Sequence, residues 1–548
     1  MYKYFNLLVV LFFINACQPI EQKENKELKK PKLVVGIVID QLRHDYFERY
    51  AENFGEEGFK RLISEGFYNH NTHYNYIPTF TGPGHASIYT GTTPATHGII
   101  ANNWYDKNLK TSVYCAEDTS VYTIGSQSDA GEMSPHRMLS STITDEIGLA
   151  TNFKSKVIGI SIKDRGSILP AGHNPTGAYW YDKSTGDFIT SSYYEKEELP
   201  QWLQDFNSRK LADQYLNKSW ELSMPLDEYT QSSPDDMPYE MKVRGKEKAV
   251  FPYNLKELRK ENGNFALLPN TAYGNSILAD LAISAIEGEE MGKDEITDFM
   301  ALSFSSTDYI GHGFGPRSVE VQDTYIKLDQ EIARLFKALD EKVGKGNYLI
   351  FVTADHGCAE VPEYLQSKKI PADHYDDDLY VKQMSEALQA RYGQGDWIED
   401  FSNEQFFLNH QLIEDQKLDL NSVREFVTYE ALKLDGVAEA YSATDMQKQE
   451  YIKHRAAALQ MGYNFKRSGD VLLILQPGWF YQTSAATTHG TGYAYDTHVP
   501  LIWYGSGIDK GVSYKRQNID DIAVTLAHIL GTNLPNGATG EPIQEVLN

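Results

Sequence analysis

Three short segments set carboxylates beside imidazoles: Asp355 and His356 in VTADHG, Asp308 and His312 in STDYIGHGFG, and His489 and His498 in the glycine-rich TTHGTGYAYDTHVPLIWYG. Singly, each has an ordinary explanation. Asp-His can be a capping acid beside an exposed imidazole, a pair four residues apart can be a contact along one helical turn, and a loop histidine is commonly a hydrogen-bonding residue. Jointly, with Asp40 at the end of GIVID, they give Asp40, Asp308, His312, Asp355, His356 and His489, a set of oxygen and nitrogen donors without a thiolate. Such a set suits catalytic zinc, which keeps a coordination position for water or substrate, better than a closed structural site.

The chain also offers a hydroxyl in an unusual setting. In PTFTGPGHASIYTG, Thr81 is followed by Gly82, Pro83 and Gly84 and then by residues able to continue as a helix. Proline suits a first helical turn, so Thr81 is expected near the positive N-terminal end. A threonine hydroxyl attacks poorly near neutral pH unless a metal or base promotes its ionisation. A zinc held by Asp40, Asp355 and His356 would do so. From this segment alone, capping by Thr79, Thr81 or both is the simpler reading.

These residues need a scaffold. Near-continuous apolar runs occur at Leu33 to Ile39, Val157 to Ile162, Met300 to Phe304, Tyr348 to Thr353, Val471 to Leu475 and Val499 to Trp503. Without strict alternation they predict strands covered on both faces, as in a parallel sheet. Helical patterns lie between several of them. Val321, Tyr325, Leu328, Ile332, Leu335 and Leu339 are spaced by threes and fours behind a capping Ser318, and Ile519 to Leu530 ends at Gly531. The expected fold is α/β, a mostly parallel central sheet sandwiched by helices. Residues from about 175 to 265 and from about 361 to 468 break the rhythm and are read as insertions beside the active face of a catalytic domain over 33–548. In the second of these, HYDDDLY at 374–380 lacks regularly spaced ligands and reads as a solvated charge run rather than a calcium loop. Ligands of such sheets gather beyond the carboxyl ends of the strands. Asp40, Asp308, Asp355 and His356 fall there, as do Lys163 and Arg165 after VIGISI.

The chain has 548 residues and a formal charge of −25, which argues against a nucleic-acid surface, because phosphate backbones need clustered Lys and Arg. An anionic substrate would need a local source of positive charge, such as metal ions. Residues 1–17 combine Lys3 with an apolar run from Phe5 to Ile14 too short to span a bilayer, followed by Asn15, Ala16 and Cys17. They are read as a lipoprotein-type signal, with Cys17 as the lipidated first mature residue and 18–32 as a polar tether. The protein is therefore expected to be exported, to the periplasm or outer membrane, and to meet a membrane only through that anchor. Cys115 and Cys358 either pair or stay as buried thiols.

The segments GIVIDQLRHDY, PTFTGPGHASIYTG, HGIIANNWYD, SIKDRGSILPAGH, STDYIGHGFGP, VTADHG and THGTGYAYDTHVPLIWYG, in this order, resemble the alkaline phosphatase superfamily and, within it, the bacterial phosphate-irrepressible alkaline phosphatases of the PafA type. The resemblance implies two zinc ions, one on Asp308, His312 and His489 and the other on Asp40, Asp355 and His356, with Thr81 as a nucleophile bound to the second. It further implies that Asn102, Lys163 and Arg165 bind phosphate, with Asn103 as the alternative to Asn102. Lys163 and Arg165, two apart on an extended segment, would face the same way. The implied activity is hydrolysis of small phosphate monoesters through a phosphothreonine. The rivals are a phosphodiesterase or nucleotide pyrophosphatase on the same metals, and a non-catalytic metal- or glycan-binding surface lipoprotein. No Cys-x-Pro-x-Arg or Ser-x-Pro-x-Arg segment supports a sulfatase.

Overall fold

The computed structural model describes residues 30–195, 197–481 and 485–547. The signal segment, Cys17 and nearly all of the tether lie outside the described residues. None of the described helices is long and apolar enough to cross a membrane.

An eleven-stranded sheet forms the body. Seven of its strands matter for the site: β1 (Leu33–Ile39), β2 (Phe67–His73), β3 (Val157–Ser161), β4 (Gly177–Tyr181), β5 (Asp298–Phe304), β6 (Tyr348–Thr353) and β7 (His498–Gly505). Across the sheet they run β2-β7-β6-β1-β5-β3-β4. From β6 to β4 every pairing is parallel. β1, β3, β5 and β6 are buried at every residue, which is why they read as unbroken apolar runs. The fold is thus the α/β sandwich expected, with two differences. β7 is antiparallel to both β6 and β2. Val471–Leu475 is a strand of a different sheet, pairing antiparallel with Gln405–Leu408 and Val437–Ser442.

Four helices carry or support the site: α1 (Thr81–Thr90), α2 (Asp164–Ala171), α3 (Ser306–Phe314) and α4 (Val319–Leu339). The Ser318 hydroxyl caps α4 by accepting from the Val321 N–H at 3.2 Å. A helix near the C-terminus runs over Asp521–Leu530 and stops at Gly531, which takes φ 63°.

The second sheet has four strands and a core of its own, in which Tyr380, Met384, Val427, Val471 and Leu473 pack together. The acidic run at its edge has a local duty: Asp376 accepts from the Leu379 N–H at 3.2 Å and caps the helix Asp377–Tyr392. Cys115 and Cys358 are buried free thiols.

Candidate active site

Register decides where the acids emerge. Ile39 stands opposite Phe304, and Val38 opposite Thr353. Asp40 follows β1 directly, Asp355 follows β6 by two residues, and Asp308 lies in the first turn of α3, so all three leave the sheet at one edge. Asp40, Asp355 and His356 form one group and Asp308, His312 and His489 another, each with its ligand atoms within 4.8 Å of one another. In the first, His356 Nε2 is 3.4 Å from Asp40 Oδ1 and 3.6 Å from Asp355 Oδ2. In the second, His312 Nε2 and His489 Nε2 are 3.2 and 3.7 Å from Asp308 Oδ1. The His356 and His489 rings stack at 3.4 Å and join the groups.

Thr81 is the first residue of α1 and is buried, with Oγ1 3.4 Å from His356 Nε2. A close seat holds it there: a Cβ added at Gly84 would lie 2.4 Å from the Asp355 carbonyl oxygen, so only glycine lets the helix approach this strand end. The buried Lys163 ammonium donates to Asp40 Oδ2 and to Asp308 Oδ2, at 2.6 Å each, and lies 3.5 Å from Thr81 Oγ1. Burial pulls the Lys163 pKa down, but the Asp308 and Asp40 carboxylates outweigh it and hold the ammonium above its usual range. Burial pushes the Asp40 carboxyl up to about 6 against the pull of Lys163. Asp308 is driven well below its usual value, because His312 and Lys163 overcome its burial.

The donors fit a metal. Each group's imidazoles use Nδ1 on a main-chain carbonyl: His356 on Gly357 O at 2.9 Å, His312 on Thr487 O at 2.8 Å and His489 on Thr79 O at 2.8 Å. With Nδ1 as the donor, Nε2 keeps its lone pair. Burial holds His489 down to about 3 and His356 well below its ordinary value, so both stay neutral, as metal ligands must be. Among the described residues, Asp40 Oδ1 and Asp355 Oδ2 are buried without a hydrogen-bond partner, a costly state that a cation relieves. His85 and His97 differ, since both ring nitrogens are engaged: His85 with Thr81 O and Ser303 Oγ, His97 with Ser87 Oγ and the Ile99 N–H. His498 lies away from the groups, stacked between His44 and His73 at 3.8 and 4.4 Å.

Residues 34–499 match the family model described as type I phosphodiesterase / nucleotide pyrophosphatase. The chain belongs to that family, within the alkaline phosphatase superfamily. Alkaline phosphatase PafA of Elizabethkingia meningoseptica is 43% identical over 96% of this chain and 96% of its own. A Myroides odoratus protein named calcium-transporting ATPase is 43% identical over 95% and 96%. A crystal structure of wild-type PafA superposes with a TM-score of 0.91 at 42% identity, covering 95% of this chain and 99% of that one.

Within this type I phosphodiesterase / nucleotide pyrophosphatase fold, the remaining expected residues fall as follows. Asn102 Oδ1 accepts from the Gly82 N–H at 2.8 Å, one residue past Thr81, which leaves the amide NH2 as the donor for a ligand. Asn103 is exposed and begins a short strand. Lys163 and Arg165 are not two apart on an extended segment: Lys163 is the extended residue before α2 and Arg165 lies in its first turn. Arg165 Nη1 donates to Tyr114 Oη at 3.0 Å, and Tyr114 donates to Asp164. Sequence reasoning missed three supporting residues. Gln41, at φ 62°, gives its N–H to Asp355 Oδ1 at 3.2 Å and its Nε2 to Asp308 Oδ1 at 2.7 Å, so one residue spans both groups. Thr307 Oγ1 donates to the Asp40 carbonyl at 2.5 Å. Asp496 accepts from the Gly490 and Thr491 N–H groups at 3.1 and 2.7 Å and steadies the loop that carries His489. Only Gln41 had a signal, its place next to a strand-end aspartate.

Proposed function

We propose that this chain is a zinc-dependent alkaline phosphatase, which hydrolyses phosphate monoesters to inorganic phosphate through a phosphothreonine on Thr81. The observation that carries the reading is Lys163, whose ammonium is within 3.5 Å of Thr81 Oγ1 and bonded to an acid of each ligand group. Asp40, Asp355 and His356 would hold one zinc, and Asp308, His312 and His489 the other. Bound there, the two ions supply Lewis acidity to the attacking and the leaving oxygen. Thr81 attacks phosphorus in line at the positive end of α1, the alcohol departs and takes up a proton, and water then displaces phosphate from Thr81. Lys163, Arg165 and the Asn102 amide meet charge on the other phosphoryl oxygens. Two cations serve a dianionic monoester better than a diester, in which one charged oxygen is replaced by an ester. A relative named as an ATPase is compatible with this reading, since the terminal phosphoryl group of ATP presents the same charge pattern.

The test compares an aryl phosphate monoester with its diester, using zinc-loaded protein, chelator-treated protein and Thr81→Ala. The monoester is expected to be strongly preferred, with chelation removing most turnover and Thr81→Ala at least about a thousandfold of it. Equal or better diester cleavage would overturn the monoesterase reading in favour of a phosphodiesterase.

A further inference from the structure

We propose that Lys183, with Tyr309, forms a second anion subsite at the mouth of the catalytic groups, favouring phosphate monoesters whose leaving group carries another phosphate, as in bisphosphates and nucleoside di- or triphosphates. This rests on the phosphomonoesterase reading above. β4 runs parallel to β3, with Trp180 opposite Ser161, so its carboxyl end reaches the edge where Asp40, Lys163 and Asp355 emerge. A tight turn follows. Asp182 accepts from the Ser184 N–H at 2.8 Å and from the Ser184 hydroxyl at 2.7 Å, and the Gly186 N–H donates to the Asp182 carbonyl at 2.8 Å. The turn leaves Lys183 exposed, and its ammonium donates to Tyr309 Oη at 3.0 Å.

Tyr309 follows Asp308 on α3, and its ring is shared by two cations: Lys163 Nζ is 5.3 Å from the ring centroid and Lys183 Nζ 4.8 Å. This is the open side of the site. In the Asp308, His312 and His489 group, the Asp308 and His489 side chains are each 5% exposed and that of His312 is 29% exposed. Tyr309 and His312 are three apart on one helix and so share a face. In the proposed displacement the leaving oxygen lies against this group, and the rest of the leaving group passes out over His312 and Tyr309 toward Lys183. Accepting from Lys183 leaves the Tyr309 hydroxyl proton free for a ligand. Among the described residues Lys183 has no carboxylate partner, whereas Lys163 is bonded to two. In a chain of charge −25, whose general field repels a second anion, an unpaired ammonium at the exit supplies a local attraction.

The experiment measures kcat/KM above pH 8, at low ionic strength, for propyl phosphate and 3-phosphonopropyl phosphate. Their leaving alcohols have nearly equal acidity and the C–P bond is not hydrolysed, so the ratio of the two reports the second anion. The phosphonopropyl ester is expected to exceed propyl phosphate by about fivefold, and to lose most of that advantage in about 0.5 M salt. Lys183→Met should bring the ratio to one or below, and Lys183→Arg should keep it. Lys345→Met removes the same unit of charge from an exposed site just before β6, at the opposite edge of the sheet, and should leave the ratio as in the parent. Each ratio is taken within one preparation, so partial misfolding of a variant does not alter it. A parent ratio at or below one, a ratio unmoved by Lys183→Met, or one lowered equally by Lys345→Met would overturn the subsite. Failure to hydrolyse either ester would instead overturn the phosphomonoesterase reading.

Discussion

Lys163 neutralises two buried acids and stands beside the hydroxyl proposed to attack. Removing it leaves Asp40 and Asp308 facing each other without their shared cation, and deprives a phosphoryl oxygen of a donor. Lys163→Ala and Arg165→Ala are each expected to lower monoester kcat/KM by about 10²–10³-fold and diester kcat/KM by less. Parallel losses on the two substrates would contradict the role given to these cations. Lys163 and the six donors are legible in sequence because strand ends expose their types together. Asn102 and Asn103 are not separable by type; the Gly82 N–H bonded to Asn102 separates them. Gln41 is marked in sequence only by its place after Asp40, and its bridging role stays hidden because its left-handed backbone at φ 62° is imposed by the packing around it rather than by its own preference.

Helix α1 delivers Thr81 only because it can lie against the exit of β6. At Gly84 a methyl group would meet Asp355 backbone at 2.4 Å and its Cβ at 2.9 Å, so Gly84→Ala must push the helix and the strand end apart. The variant is expected to lose about 1–3 kcal/mol in urea unfolding and about a hundredfold in kcat, since small displacements of a reacting group are costly. Stability and kcat both equal to the parent's would refute this account of the helix seat. The strands that frame the seat were readable because they are buried on both faces. β7 was readable as a strand too, but its antiparallel direction was not, as burial on both faces looks the same in either direction. Val471–Leu475 fooled the same criterion: a five-residue apolar run at the heart of a smaller sheet is as continuous as one in the large sheet.

Three strands of the large sheet are tied at one rim by the imidazole stack of His73 on β2, His498 on β7 and His44 just past β1. Burial, then His498, Arg43 and Arg49 against the pull of Asp45, hold His44 down to about 4. Burial, then Arg516, His498 and His44, hold His73 down to about 3. Both folded values lie below the ordinary 6.5. The fold therefore keeps the His44 and His73 rings neutral: the contribution of these two to stability is complete above about pH 6.5 and drains away as the pH falls toward 4 and 3. Thermal unfolding from pH 8 to pH 4 should show the wild type losing more stability than His73→Phe; curves that stay parallel throughout would rule the stack out as an acid-sensitive tie. The imidazoles of the two candidate metal-binding groups follow a different design. His312, His356 and His489 are oriented by carbonyl oxygens of the main chain, which every amino acid carries. The instruction that aims these rings is thus written in the path of the backbone, and the buried Thr79 and Thr487 hydroxyls pin that path by donating to Thr491 O at 2.9 Å and Ala359 O at 2.6 Å.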